Sequence, residues 1–295
     1  MYAIMGISGR VGSVVAQTIL DAGQQVRAIV RSAAKATRWH DLGCDVAIAD
    51  VEDQGSLERA FSDTQGAFVM LPPAYDQSPG LAEGHARANS IRNALLRACP
   101  AKVLALSTYG AQVNRPNLFN ELGYLERVLK ELDAPVTVLR AAWYMENHEW
   151  DISSANEQGL IRSHLQPLDK SIPMVSTNDV GRMAAQLLME DWSGYRIEEF
   201  EGPEAVSPNR LAQAFASGLG KDVSAEAIPR NAWESGFKNA GINNPEPWIQ
   251  SLEGTNDGWL AFEKSEESRY HGKITIDEAI ALLLLSNRYG PCRSS

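Results

Sequence analysis

Ala3-Ile4-Met5-Gly6-Ile7-Ser8-Gly9-Arg10-Val11-Gly12 opens the chain with an apolar run followed by three glycines in the spacing G-x-x-G-x-x-G. Val11, Val15 and Ile19 then recur on one helical face, and Gly23 supplies the left-handed residue that ends such a helix. A short strand therefore turns into a helix through the glycines. One glycine permits the tight turn, one lets the backbone approach a pyrophosphate, and Gly12 lets helix and strand pack closely. The helix N-terminus offers free N–H groups and the positive end of its dipole to phosphate. Gly6, Ile7, Ser8, Gly9, Arg10, Val11 and Gly12 are the candidate cradle. Three glycines at fixed spacing are a weak signal alone, and their place between the first strand and the first helix gives them meaning.

The same alternation continues. Val26–Val30, Val46–Ala49, Ala67–Leu71, Val103–Leu106 and Val136–Leu139 are near-continuous apolar runs of the kind found in strands covered on both faces. Helical patterns lie between them at Ala86–Ala98 and along Leu122, Leu125, Leu129 and Leu132, the latter ended by Ala134-Pro135. This predicts an α/β fold, a doubly wound parallel sheet of the Rossmann type. Beyond Trp150 strands become sparse. Asn178-Asp179 is read as the cap of a helix through Met183, Leu187 and Leu188, and Tyr195–Phe200 as one more strand. Ser207-Pro208 opens a further helix, and Ile276–Leu285 is the last. The expected organisation is a dinucleotide-binding domain over 1–150 and a smaller, irregular α/β lobe over 151–295, with about 176–202 returning to the main sheet.

The 295 residues carry 27 Lys+Arg against 37 Asp+Glu, a net charge of −10, which disfavours general binding to a phosphate backbone. Hydrophobic residues at 44% and charged residues at 22% are those of an ordinary globular chain, which excludes wholesale disorder. Cys44, Cys99 and Cys292 form no C-x-x-C and read as free thiols. The five histidines show no metal-ligand spacing, so no metal is expected. No basic-then-apolar leader opens the chain, and the apolar run Ala279–Leu285 is far shorter than the ~20 residues a membrane span needs. The expectation is a cytoplasmic protein acting on a small-molecule substrate, with a homodimer allowed and neither nucleic acid nor membrane as partner.

The strand ends carry the specificity signals. Where an acidic residue would bind the ribose hydroxyls of NAD, this chain has Arg31, with Lys35 one helical turn on and Arg10 nearby. Cations there suit a 2′-phosphate and favour NADP(H) over NAD(H). The competing reading is a solvated pair of surface charges. Asp50 can bond the adenine amino group with Val51 over the ring, or be a plain surface acid. Leu71-Pro72-Pro73 ends the fourth strand as a rigid rim, and Ser107-Thr108 ends the fifth at the ligand-binding edge.

With these residues in hand, the chain resembles the NmrA-like family of atypical short-chain dehydrogenases/reductases. The resemblance rests on Gly6–Gly12, Val30-Arg31 with Lys35, Asp50, Leu106-Ser107, Tyr124-Leu125-Glu126, Val138-Leu139-Arg140 and Tyr144-Met145-Glu146-Asn147. Asn178-Asp179-Val180 and Glu201-Gly202-Pro203-Glu204-Ala205-Val206-Ser207 extend it over nearly the whole chain. It is most similar to the members that reduce quinones and triphenylmethane dyes with NADPH. Imine reductases and redox-sensing regulators share the scaffold. The resemblance implies an NADP(H)-dependent oxidoreductase.

Short-chain dehydrogenases with acid catalysis use Tyr-x-x-x-Lys, and this chain departs from that pattern. The Lys position, four residues before Glu126, is Leu122, and Tyr124 is followed four residues on by Val128. Neither frame supplies the cation that lowers a tyrosine pKa. Hydride donation needs no protein acid when the acceptor is already electrophilic, as a quinone or cationic dye is; the cofactor then carries the chemistry. Tyr109, Tyr144 and His148 remain catalytic candidates, and Asn147 can reach the nicotinamide or the substrate. Trp143, Tyr144, Trp150, Trp233, Phe237, Trp248 and Trp259 are candidate pocket walls or packing anchors. A quinone-like reductase, a non-catalytic NADP(H)-binding sensor and an imine or enal reductase all stay open.

Overall fold

The computed structural model describes residues 1–289. The first half runs β1 (Tyr2–Ile4), α1 (Arg10–Asp21), β2 (Val26–Val30), α2 (Thr37–Asp41), β3 (Asp45–Ile48), α3 (Gln54–Phe61), β4 (Gly66–Val69), α4 (Ala82–Ala98), β5 (Val103–Thr108), α5 (Asn120–Leu129) and β6 (Val136–Ala141). The second runs β7 (Trp143–Tyr144), α6 (Ile152–Gln158), β8 (Leu160–Ser163), β9 (Ile172–Val175), α7 (Thr177–Met189), β10 (Tyr195–Glu201), β11 (Ala205–Val206) and α8 (Pro208–Leu219). It closes with β12 (Ser224–Ala227), α9 (Trp233–Asn239), α10 (Glu246–Asp257), β13 (Tyr270–His271) and α11 (Ile276–Tyr289).

Eight strands form one parallel sheet in the order β13-β10-β6-β5-β4-β1-β2-β3. The chain winds outward from β1 through β2 and β3, then resumes at β4 on the other side. The switch point therefore lies between β1 and β4, and the crevice at their carboxyl ends is where such sheets bind ligands. One apolar cluster fills each face of the sheet. Ile4, Val15, Ile19, Phe68 and Leu188 lie in one, and Phe61, Val69, Ile91, Ala105 and Leu129 in the other. The central strands are buried along their apolar runs, with only Thr108 at the end of β5 half-buried. The edge strand β3 departs from that expectation: Asp45 and Ile48 are exposed, because no further strand covers them.

The second half builds a separate core around Met145, Ile172, Phe215, Trp233 and Ile280. It holds two small sheets, β11-β9-β7 and β12-β8. It also sends α7 against α1, and β10 with β13 into the main sheet. The approach of α7 to α1 is close because Gly181 has no Cβ: one built there would lie 2.5 Å from Val14.

Several helix ends differ from the sequence reading. α7 is capped by Ser176, whose Oγ accepts the Asn178 N–H at 3.2 Å, and not by Asn178-Asp179. Asp179 is buried and instead accepts the backbone N–H groups of Lys273 and Ile274 at 2.7 and 2.8 Å. α5 ends at Leu129, and Leu132 packs from the following turn. Ser207 caps α8 with Pro208 in its first turn, as read. Cys44 is buried and Cys99 exposed, both as free thiols; Cys292 lies outside the described residues. Among the described residues no helix is long and apolar enough to cross a membrane.

Candidate functional site

A cleft of about 800 Å³ runs along the carboxyl edge of the sheet across the switch point. Its floor is the glycine loop. Gly6 has φ +67°, the left-handed conformation the turn needs, and its carbonyl accepts the Gly9 N–H at 2.9 Å. Gly9 itself lies at φ −88° as the N-cap of α1, with no side chain capping the helix and no acidic residue in its first turn. Side chains cap α3, α7 and α8, whereas α1, like α4, α5, α6, α9 and α10, has no such cap. The uncapped first turn of α1 opens into the cleft. A Cβ on Gly12 would lie 2.3 Å from the Gly6 carbonyl oxygen, so this third glycine is what lets α1 sit against the loop.

Gly6, Ile7, Ser8, Gly9, Arg10, Val11 and Gly12 all line the cleft, as do Arg31, Lys35, Asp50, Val51, Leu71, Pro72, Pro73, Ser107, Tyr109, Tyr144 and Asn147. At one end Arg31 and Lys35 are exposed and enter no ion pair among the described residues. Arg10 is different: its Nη2 donates to Glu149 Oε2 at 2.7 Å, so it ties the glycine loop to the segment after β7 and is not free beside Arg31. Asp50 is exposed, and its Oδ1 accepts the Glu52 N–H at 3.0 Å.

The other end is aromatic. The Trp248 ring lies 5.3 Å from Tyr75 and 6.3 Å from Phe119, both edge-on, and stacks at 5.8 Å on Trp143. Tyr109 meets Phe119 edge-on at 5.9 Å. These rings pack against one another and line this end of the cleft with an apolar, aromatic surface. Of the seven aromatic residues proposed as walls, Trp143, Tyr144 and Trp248 line the cleft. Trp150 is exposed, Trp233 and Phe237 belong to the second-half core, and Trp259 sits under the Arg115 guanidinium. Tyr75, Phe119, Arg87 and Glu121 line it without having been anticipated.

Burial works against ionisation of both candidate tyrosines at the cleft. The Tyr109 hydroxyl shares a hydrogen bond with Thr255 Oγ1 at 2.9 Å, and burial pushes its pKa up to about 12. Burial, then the nearby Glu146 carboxylate, raises that of Tyr144 as well. Tyr124 stacks on His85, donates to Asn89 Oδ1 at 3.1 Å and does not line the cleft. His148 does not line it either: the 3₁₀ turn Met145–Asp151 directs its Nδ1 to Asp151 Oδ2 at 2.9 Å. Ser107 is buried, and its Oγ donates to Glu126 Oε1 at 2.6 Å.

The motif residues outside the glycine loop hold the walls in place. Glu126 accepts a two-pronged pair of bonds from the buried Arg140 guanidinium, at 2.9 and 2.7 Å. Arg140 also bonds Glu263 and lies 3.5 Å from Glu199. Glu146 accepts from Ser176 Oγ at 2.7 Å and from the Thr177 N–H at 2.9 Å. A Cβ on Gly202 would lie 2.4 Å from the Met174 carbonyl oxygen. The model of the NmrA-like family matches residues 2–277.

This chain belongs to the NmrA-like family. Among curated relatives, quinone oxidoreductase 2 of Escherichia coli is 25% identical over 97% of this chain and 100% of its own length. The NAD(P)H azoreductase of Xenophilus azovorans is 25% identical over 77% of each. Among solved structures, the Escherichia coli NADPH-dependent quinone oxidoreductase in complex with NADPH superposes with a TM-score of 0.80 at 23% identity, over 96% of this chain and all of that one. The Citrobacter triphenylmethane reductase with NADP(H) gives 0.78 at 20%, over 96% and 99%. These two likenesses establish the same fold over essentially the full length.

Proposed function

We propose that this NmrA-like chain is an NADP(H)-dependent oxidoreductase that reduces quinone-like or other electrophilic conjugated acceptors by direct hydride transfer, without a Ser-Tyr-Lys triad. One observation carries the reading: a single cleft joins an uncapped helix N-terminus and two cations without an ion pair among the described residues to a wall of aromatic rings. The residues present fit the cofactor. The first turn of α1 and the close glycines receive the pyrophosphate, Arg31 and Lys35 the 2′-phosphate, Asp50 and Val51 the adenine, and Asn147 the nicotinamide end.

When bound, NADPH supplies a hydride. The chain's own residues orient and shield. Leu71, Pro72 and Pro73 form the rim, and Trp143, Tyr144 and Trp248 hold a flat acceptor away from water. The Ser107 hydroxyl donates its hydrogen bond to Glu126, Leu122 stands where a lysine would, and no tyrosine at the cleft has a lowered pKa. An acceptor that is electrophilic without protonation suits this site. The quinone oxidoreductase and azoreductase among the relatives support the same class.

Purified protein mixed with NADPH and a soluble quinone tests this, with cofactor oxidation and hydroquinone measured together. Matched consumption of the two is expected. Tight NADPH binding with no consumption across several quinones would replace the reading with a non-catalytic sensor.

A further inference from the structure

Reduction of a quinone to a hydroquinone consumes a hydride and a proton, and the proton's source is a separate question that rests on the reading above. Two carboxylates line the aromatic part of the cleft, Glu146 and Glu121. Glu146 has one oxygen on Ser176 and the other on the Thr177 N–H, as a structural anchor. Glu121 stands in the first turn of α5, 6% exposed, among Leu118, Phe119 and Leu122, which line the cleft with it. Its Oε2 accepts from Gln77 Nε2 at 2.6 Å, and its Oε1 accepts no hydrogen bond from any described residue. Gln77 is fixed in turn, since its Oε1 accepts the Gly84 N–H at 2.9 Å. Gly84 leaves the space: a Cβ there would lie 2.4 Å from Glu121 Oε2.

We propose that Glu121, in its acid form, donates the proton that completes reduction of the acceptor. Hydride addition to a quinone yields the hydroquinone monoanion. The Glu121 O–H bond then breaks as an O–H bond forms on the phenolate oxygen. Glu121 is left as carboxylate and recovers its proton from water after product leaves. A phenolate has an ordinary pKa of about 10, so the transfer runs downhill from a carboxylic acid.

The surroundings keep the acid form available. Burial pushes the Glu121 pKa up to about 7, against the opposing pull of the Gln77 hydrogen bond and the Arg87 charge. Of the groups packed around it, α4 contributes Arg87 and the loop after β4 contributes Tyr75, whose own pKa burial and Glu121 raise. His85, also on α4, stacks on Tyr124. A carboxyl poised near neutrality suits a general acid. A purely structural Glu121, serving only to pin Gln77, would give a pH-independent loss on substitution.

The test is the pH profile of kcat with NADPH and a soluble quinone for the parent and Glu121→Gln, with NADPH affinity measured for both. The parent is expected to lose rate as pH rises through a midpoint near 7. Glu121→Gln is expected to be slower by ~10²-fold or more, to lose that limb and to keep its cofactor affinity. Should the Gln variant fold poorly, Gln77→Leu removes the bond that favours the carboxylate and is expected to move the midpoint to higher pH. Carboxyl ¹³C NMR of the cofactor-free parent gives a readout independent of turnover: a glutamate resonance titrating near 7 that is absent from Glu121→Gln. A flat parent profile, a Gln variant within a few fold of the parent or one that retains the limb overturns the role of Glu121 and leaves the reductase reading standing. A parent that binds NADPH and reduces no acceptor overturns both.

Discussion

Arg31 and Lys35 give the sharpest residue-scale consequence. Both line the cleft without a carboxylate partner among the described residues, so removing them breaks no ion pair seen there. Arg31→Ala, and more so with Lys35→Ala, is expected to weaken NADPH by about 1.5–3 kcal/mol, roughly ten- to a hundredfold, and NADH far less. Titration of both cofactors checks this, and equal losses would contradict the 2′-phosphate assignment. The tyrosines give the second. Tyr109→Phe, Tyr124→Phe and Tyr144→Phe should each keep quinone turnover within about tenfold, because burial raises the pKa of Tyr109 and Tyr144 and Tyr124 does not line the cleft; a true general acid contributes ~10²–10⁴-fold. A loss beyond a hundredfold at one of them, with cofactor affinity intact, would shift the substrate class toward carbonyls or imines. The place of Arg31 and Lys35 at the cleft was legible because strand ends in such sheets lie at the crevice. Glu121 was not, because an acidic residue in a helix's first turn is the ordinary complement to the helix dipole. Only its burial against Gly84 and Gln77 distinguishes it. His148 was a catalytic candidate, and a 3₁₀ turn directs its ring to Asp151 instead.

At the scale of elements, the three glycines separate into different jobs. Gly6 provides the positive φ, Gly9 the open approach and Gly12 the contact between α1 and the loop. Gly9→Val is expected to abolish NADPH binding while the far-ultraviolet circular dichroism and thermal midpoint stay close to the parent's. Its Cβ would meet only the Gly6 carbonyl oxygen at 3.2 Å, but the branches would project from the helix N-terminus that phosphate must reach. Gly12→Ala is expected to destabilise the fold by ~1–3 kcal/mol, since backbone atoms 2.3–2.7 Å away must move. Denaturant unfolding of the two variants separates these outcomes, and a Gly9→Val protein with unchanged NADPH affinity would show that this loop holds no phosphate. The central strands were legible as apolar runs bounded by turns. The pairing of β8 with β12 was not: Leu160–Ser163 and Ser224–Ala227 are short, partly polar and some sixty residues apart, and nothing in local periodicity marks two such segments as partners.

At the scale of the molecule, the two halves are interleaved. β10 pairs with β6 along six residues, and α7 covers α1 through the contact at Gly181. A fragment of residues 1–150 leaves β6 as an open edge and uncovers the apolar face of α1. It is expected to lack a cooperative thermal transition, which calorimetry would show; a fragment melting like the parent would mean that the first half is self-sufficient. Interleaving also explains why the aromatic wall draws on Tyr75 and Phe119 from the first half and Trp248 from α10, a combination that sequence order conceals. The central claim is that the cleft carries hydride from NADPH to an electrophilic acceptor. The most direct measurement is a single turnover with NADPH deuterated at one face of C4, the enzyme in excess and a soluble quinone as acceptor. We expect one equivalent of hydroquinone per NADPH, formed more slowly with deuterium on one of the two faces and unaffected by the other. NADPH bound but left unoxidised under those conditions would contradict the account.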